Sequence, residues 1–146
     1  MLILFSLMAC NEPSMKRINT LEKRVSKIEN KYQETETAFN NLVADCARFD
    51  EFLRNNNTPK PEMQLLRAYL QQYEDERVSM KEDIEYSKNQ ITSLKDDFVA
   101  GLYDASQREE YLYSEEAALN TTEAKLDYFL DRFQKQSDFI KETEKQ

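Results

Sequence analysis

The residue with the most distinctive chemistry in this sequence is Cys10, whose thiol directly follows an apolar segment. Residues 1–9 are apolar except for Ser6, and the composition turns polar immediately after Cys10. An apolar segment that ends in a small residue, here Ala9, is how an exported chain presents itself to the translocation machinery and the signal peptidase. Residues 1–9 therefore predict a signal peptide that is cleaved ahead of Cys10.

The four residues Leu7-Met8-Ala9-Cys10 resemble the lipobox of bacterial lipoproteins, in which Leu lies three residues before the Cys and a small residue directly before it. The resemblance implies that Cys10 becomes the acylated first residue of the mature chain. Residues 10–15 would then be a lipidated tether, and residues 16–146 a domain held at the bacterial cell envelope, at the outer membrane or its periplasmic face.

Other interpretations of this segment depend on its length and flanks. Nine residues of helix cover only about 14 Å, whereas the hydrocarbon core of a membrane is about 30 Å thick, so a membrane span is excluded. A packed or disordered apolar N-terminus remains as the alternative to a signal peptide.

The commonest arrangements of catalytic residues are missing from the sequence. The absence of His excludes nucleophilic catalysis of the Ser-His or Cys-His type, and a single Gly excludes a glycine-rich phosphate loop. Paired carboxylates could bind a hard cation or act as acid and base, but adjacent residues on a helix point about 100° apart and so mostly cover solvated faces. We therefore predict a non-enzymatic protein with no cofactor and no metal site. The acidic runs are Glu74-Asp75-Glu76, Asp96-Asp97 and Glu115-Glu116.

Composition predicts a single, almost wholly helical domain. The 146 residues include one Gly, three Pro and no Trp, and 33% of them are charged. Because 40% of the residues are hydrophobic, including eight Phe and eight Tyr, the chain can bury a core despite its net charge of -8. Nucleic-acid binding is disfavoured, since phosphate contacts require clustered Lys and Arg.

Three segments have apolar residues at alternating spacings of three and four, the heptad pattern of coiled coils. In the first segment these residues are Ile18, Leu21, Val25, Ile28, Tyr32, Thr35, Phe39, Leu42, Cys46, Phe49 and Leu53. In the second they are Met63, Leu66, Leu70, Tyr73, Arg77, Met80, Ile84, Ser87, Ile91, Leu94 and Phe98. In the third they are Leu112, Leu119, Thr122, Leu126, Phe129, Phe133, Gln136 and Ile140, flanked by Tyr111, Ala118, Leu130 and Phe139.

Two breaks separate these segments. Residues 55–61 contain two prolines, which interrupt a helix, and Gly101 is suited to a C-terminal cap. Ser106 and Glu109 then form a predicted capping box. We expect helices at about 16–54, 62–100 and 106–143, folded as an all-α, antiparallel up-down-up three-helix bundle with coiled-coil-like packing. A rival arrangement continues the second helix through Gly101 and pairs two chains.

Charges support the antiparallel arrangement, because the basic first half of helix one would meet acidic residues of the other two helices. The basic residues are Lys16, Arg17, Lys23, Arg24, Lys27 and Lys31. The expected acidic partners are Asp83, Glu85, Asp96 and Asp97 on helix two and Asp104, Glu109, Glu110, Glu115 and Glu116 on helix three. The preferred interpretation is neutralisation between helices; the alternative is that the basic run reinforces a lipid anchor by contacting anionic headgroups.

The two cysteines are not expected to pair with each other. Thirty-six residues separate Cys10 from Cys46, about 54 Å along a helix and far beyond the reach of a disulfide. Cys46 occupies a heptad position, so we expect a buried and unreactive thiol.

Polar residues at core positions are the best candidates for a ligand pocket. Tyr32, Ser87 and Thr122 are expected in about one layer, with Arg77 a few layers away beside Phe39. They could line a cavity, but the favoured interpretation is that they determine helix register, with Arg77 reaching Glu36 or solvent.

Aromatic residues near the two breaks are candidates for a partner surface. Phe49, Phe52, Tyr69 and Phe139 are expected around the first break, which would lie at the end away from the membrane, and a second group, Tyr103, Tyr111 and Tyr113, around the second break. Exposed aromatic residues would contact a partner protein, whereas buried ones would close the end of the bundle.

Together these features favour a lipid-anchored envelope lipoprotein that acts as a helical scaffold or protein-interaction domain, monomeric or weakly self-associating, with an unidentified protein partner. One alternative is a periplasmic ligand- or client-binding, chaperone-like module with a cavity lined by Tyr32, Tyr86, Ser87 and Thr122. The other is a cytosolic coiled-coil oligomer whose N-terminus only imitates a lipobox.

Overall fold

The computed structural model describes residues 13–56 and 61–145, which form a three-helix bundle with up-down-up topology and no strand in these two ranges. Helix α1 spans Pro13–Asn55, α2 spans Pro61–Val99 and α3 spans Ala105–Thr143. The predicted fold class is therefore confirmed. The predicted signal peptide and Cys10 lie outside the described residues.

The largest difference from the predicted helix ends is at the start of α1, which begins at Pro13 and not near residue 16. Proline is favoured in the first turn of a helix because its missing N–H has no partner there and its backbone angle is already helical. Residues 13–15 thus belong to the helix, and only Asn11 and Glu12 separate Cys10 from α1.

The heptad residues form the core as the spacing predicts. Every predicted core position of α1 is buried, and along α2 only Leu70 and Arg77 are half-buried. Three of the four residues predicted to widen the apolar stripe of α3 are not buried. Tyr111, Ala118 and Phe139 are exposed. The apolar stripe of α3 is therefore narrower than its sequence suggests.

Packing divides the described residues into two compact units, to each of which all three helices contribute a segment. Unit 1 comprises residues 13–30 and 81–123, and unit 2 comprises residues 31–80 and 124–145. Aliphatic side chains such as Ile18, Ile91 and Leu112 dominate the core of unit 1. The core of unit 2 is aromatic, with ring centroids 5.0 Å apart for both Phe39–Tyr73 and Tyr73–Phe129.

The turn between α2 and α3 is built from two successive caps. The N–H of Leu102 donates to the Asp97 carbonyl at 3.1 Å, and the N–H of Gly101 donates to the Phe98 carbonyl at 3.2 Å. This is the Schellman pattern, and Gly101 supplies the positive φ of 73° that it requires. The predicted glycine cap is therefore present.

The capping box of α3 lies two residues before the predicted position. Asp104 Oδ1 accepts from the Gln107 N–H at 2.9 Å, and Gln107 Oε1 accepts from the Asp104 N–H at 3.1 Å. The prediction of Ser106 and Glu109 as the box is wrong, because Ser106 already lies within the helix. Asp104 is two residues nearer to the Gly101 turn, and its carboxylate also suits the positive end of the helix dipole.

Ion pairs join α1 to both other helices in unit 1, but the predicted signs are found only on the seam with α3. Against α3, Arg17 pairs with Glu109 and with Glu116 at 2.9 Å, and Arg24 pairs with Glu123 at 2.6 Å. Against α2 the signs are exchanged, because α1 supplies the acids of the pairs Glu22–Lys95 and Glu29–Lys88, each at 2.7 Å. The α1–α2 seam therefore does not use the acidic residues of α2 that the sequence suggested.

The corrected capping box leads to a direct test. We expect Asp104→Ala to lower the free energy of unfolding by about 1 kcal/mol, because the Gln107 N–H loses its acceptor. Ser106→Ala is the matched control and should change stability by less than about 0.5 kcal/mol, since an exposed serine inside a helix satisfies no orphan donor. Urea unfolding followed by circular dichroism measures both. Equal effects of the two substitutions would contradict the assignment.

Candidate functional site

The core of unit 1 contains a carboxylate that the sequence analysis had placed on the solvated surface. Glu115 is only 7% exposed and lies at the heptad position between Leu112 and Leu119. Its Oε2 atom is buried and has no hydrogen-bond partner. The spacing of three and four around Glu115 was the available signal, and it was missed because a charged residue was assumed to face solvent.

Two opposing effects act on the pKa of Glu115. Burial raises the pKa above its ordinary value, because a carboxylate loses hydration when it leaves water. A hydrogen bond with the side chain of Ser87 acts in the opposite direction by favouring the ionised form, and burial is the larger effect. Glu115 and Ser87 are thus a buried acid and a buried hydroxyl in contact across the α2–α3 seam.

The residues predicted to share one polar layer each have a separate role. Ser87 is buried beside Glu115, whereas the Thr122 hydroxyl donates to the Ala118 carbonyl of its own helix at 3.3 Å. Tyr32, in unit 2, donates to the backbone carbonyl of Arg77 at 3.3 Å. Each of the three therefore has a partner within its own unit.

Unit 2 contains a network of polar side chains around Glu36. Tyr73 is fully buried, and its hydroxyl donates to Glu36 Oε1 at 2.6 Å. The guanidinium of Arg77 approaches Glu36 Oε2 at 3.4 Å and lies 5.5 Å from the ring centroid of Phe39. Burial, followed by the hydrogen bond with Glu36, raises the pKa of Tyr73. The contact between Arg77 and Glu36 is the one expected from the sequence.

This network explains how a cationic residue can occupy a heptad position. Arg77 also pairs with Glu74 at 3.0 Å, so its guanidinium lies over the ring of Phe39 and is held at the half-exposed edge of the core by two carboxylates. Tyr73 fills the core with its ring and directs only its hydroxyl towards the same edge. The arrangement is suited to determining register in unit 2, since Glu36 on α1 holds two residues of α2.

Cys46 is buried in unit 2, as expected. Burial raises the pKa of its thiol, which keeps the sulfur protonated and a poor nucleophile. The nearby guanidinium of Arg67 opposes this effect but is the smaller influence.

The aromatic residues predicted as a partner surface near the first break mainly close the core of unit 2. Phe49 is 1% exposed, so it cannot form part of a surface, and it packs against Phe52 and edge-on against Phe139. Tyr69 lies beneath the guanidinium of Arg132 at 5.6 Å. Phe52 and Tyr69 are half-buried and Phe139 is 37% exposed, so three of the four predicted residues present aromatic surface.

A second apolar group surrounds the turn between α2 and α3 in unit 1. Val99 and Leu102 are more than 60% exposed and are not among the predicted surface residues. The rings of Tyr103 and Tyr111 are tilted by 55° with their centroids 4.8 Å apart, and Tyr113 is 73% exposed.

Two shallow hollows occur on the surface of unit 1. One, of about 170 Å³, lies between α1 and α2 and is lined by Val25, Lys88 and Ile91 among others. The other, of about 220 Å³, lies between the starts of α1 and α3 and is lined in part by Ser14 and Arg108. Neither is lined by the residues predicted for a ligand cavity, which were Tyr32, Tyr86, Ser87 and Thr122. Within the described ranges no group of three or more acidic or Cys side chains could hold a metal ion.

The buried acid of unit 1 predicts a pH dependence of stability. Because the folded pKa of Glu115 is raised, this group stabilises the fold fully below the unfolded pKa of about 4.3, and the contribution is lost as pH rises through the folded pKa. We expect Glu115→Gln to raise the free energy of unfolding at pH 7 by about 1–3 kcal/mol, and to have little effect at pH 4. Urea titrations at both pH values measure this, with exposed Glu110→Gln as the control. A destabilised Glu115→Gln at pH 7 would contradict the assignment.

The network of unit 2 gives a second prediction. We expect Tyr73→Phe to cost about 1–2 kcal/mol of unfolding free energy, because the ring remains packed while Glu36 loses a short hydrogen bond. Tyr86→Phe, which removes a hydroxyl from a 65% exposed side chain, should be neutral. In a double-mutant cycle, Tyr73→Phe should cost less unfolding free energy when Glu36 is already replaced by Gln. An equal cost in both backgrounds would show that the hydroxyl stabilises the fold through a partner other than Glu36.

Comparison with protein families, with curated proteins and with solved structures gives no significant match for this chain. Within residues 13–56 and 61–145, no helix is both long enough and apolar enough to cross a bilayer.

Proposed function

We propose that this protein is a lipid-anchored lipoprotein of the bacterial cell envelope and that its helical bundle is a non-enzymatic scaffold or protein-interaction domain. The observation that carries the proposal is the lipobox-like Leu7-Met8-Ala9-Cys10, which ends two residues before α1 begins at Pro13. A folded domain that starts directly after the acylated cysteine would be held close to the membrane surface. The anchor and the domain are thus adjacent in the sequence.

The architecture supports a role as a surface for binding other proteins. The heptad residues are used to hold the helices together, and the polar core residues have local partners or support register. Side chains available to a partner are those on the outer faces of the helices and at the ends of the units. In unit 2 the partly exposed aromatic residues Phe52, Tyr69 and Phe139 are the candidates for such a contact.

The direct test of the anchor is the intact mass of the protein from the membrane fraction of a producing bacterium. We expect a species that begins at Cys10 and carries two or three acyl chains. The Cys10→Ala variant should lack the acyl mass and leave the membrane fraction. Cys46→Ala is the matched control, because it removes the other cysteine and should leave acylation unchanged.

The opposite result is equally clear. An unmodified chain that starts at Met1 and stays in the soluble fraction would reject the lipoprotein, and it would favour the cytosolic coiled-coil oligomer. Sedimentation equilibrium on that species would then measure its self-association.

A further inference from the structure

The basic residues at the start of α1 fall into two sets that the sequence does not separate. Arg17 and Arg24 lie on the seam with α3 and pair with Glu116 and Glu123. The neighbouring lysines, Lys16, Lys23 and Lys27, are exposed, and no carboxylate of the described chain pairs with them. The seam therefore neutralises the arginines and leaves these three lysines free.

The three free lysines lie on one face of α1. At 100° per residue, Lys23 and Lys27 are rotated by about 20° to either side of Lys16. We name this surface, defined by Lys16, Lys23 and Lys27, the lysine face. The other exposed residues around it are neutral and polar, and they are Asn19, Thr20, Ser26 and Asn30.

The acidic residues of α1 in unit 1 point away from the lysine face. Glu22 and Glu29 are rotated by more than about 100° from Lys16, and both form ion pairs with lysines of α2. The result is a helix face over residues 16–30 with positive charge and no carboxylate. It occurs in a chain whose net charge is -8, so it is opposite in sign to the protein as a whole.

The lysine face lies next to the proposed acylation site. Two residues of chain and the first turn of α1 separate Cys10 from Lys16, a distance of at most about 15 Å. Lys27 lies about 16 Å farther along α1. Since the Debye length is about 8 Å at physiological ionic strength, all three lysines contact a charged surface only if this part of α1 lies along it.

We propose that the lysine face rests on the anionic phospholipid headgroups of the membrane in which Cys10 is anchored, so that the start of α1 lies along the bilayer surface. This inference rests on the proposed function for the position of the membrane. Two or three acyl chains on Cys10 would already hold the protein at the membrane, so the lysine face would add electrostatic attraction that sets the orientation of α1. Each lysine near an anionic surface strengthens attachment about fivefold.

The test measures binding of the unacylated full-length chain, as Cys10→Ala, to vesicles of phosphatidylcholine alone or mixed with phosphatidylglycerol. The side chains of residues 1–9 are uncharged, and the α-amino group of Met1 is common to all the variants, so a difference between variants reports on the lysines. We expect stronger binding to the anionic vesicles at low salt and loss of the difference at high salt. Substituting Lys16→Gln, Lys23→Gln and Lys27→Gln together should lower binding to anionic vesicles on the order of 100-fold.

The matched control removes the same charge from other exposed positions, by Lys81→Gln, Lys141→Gln and Lys145→Gln together. This variant should retain nearly all of the anionic preference. An equal loss in both triple variants, or binding that ignores the lipid charge, would overturn the lysine face as a membrane contact. All the substituted side chains are exposed, so circular dichroism should show an unchanged fold.

Failure of this inference is distinguishable from failure of the proposed function. An acylated Cys10 with no effect of the lysine face would keep the lipoprotein and reject the flat orientation. If the wild-type chain proves to carry no acyl group, while the Cys10→Ala chain still requires Lys16, Lys23 and Lys27 to bind anionic vesicles, the lipoprotein is rejected and the lysine face is retained as a site for phospholipid headgroups.

Discussion

Burial of one apolar stripe per helix against the two other helices is the interaction on which the rest of the structure depends. Isolated helices gain little stability in water, so these must be held by packing, at about 1.5–3 kcal/mol for each fully buried aliphatic or aromatic side chain. Because the stripe repeats every 3.5 residues, each of the remaining positions of the heptad also lies at a defined angle to the core. Residues on the stripe are buried, those beside it form pairs across a seam, and those opposite face solvent.

Most of the fold could be predicted from this period. The predictions were wrong where the sequence allowed two local arrangements. Glu115 stands on the stripe by spacing, but its charge suggested the surface, and only the packing of unit 1 shows that the position outweighs the charge. Asp104 and Ser106 are both good N-terminal caps. Selection between them depends on where the turn at Gly101 directs the chain, a three-dimensional condition that residue types do not contain.

The candidate sites were harder to predict because polar side chains find partners individually. Tyr32, Ser87 and Thr122 looked like one layer along the heptads, yet Thr122 bonds to its own helix and Tyr32 to a backbone carbonyl. A hydroxyl group donates a hydrogen bond to any suitable acceptor about 3 Å away. Heptad spacing places side chains in layers but does not predict distances with that precision. By contrast, the long side chain of Arg77 reached an acid predicted for it, because its length tolerates small errors in register.

The separation of charges in unit 1 follows from the angular positions of residues around α1. It also affects the orientation that an anchored protein would adopt at a membrane. Adjacent residues such as Lys16 and Arg17 differ by about 100°, so one faces solvent while the other reaches α3. Exposed acids such as Glu82, Glu85 and Glu110 lie on α2 and α3. With only two residues between Cys10 and α1, the proposed anchor would hold an acidic domain against an anionic surface. Repulsion would be smallest with the lysines of α1 presented to the lipid, and the exposed acids of α2 and α3 would then face solution.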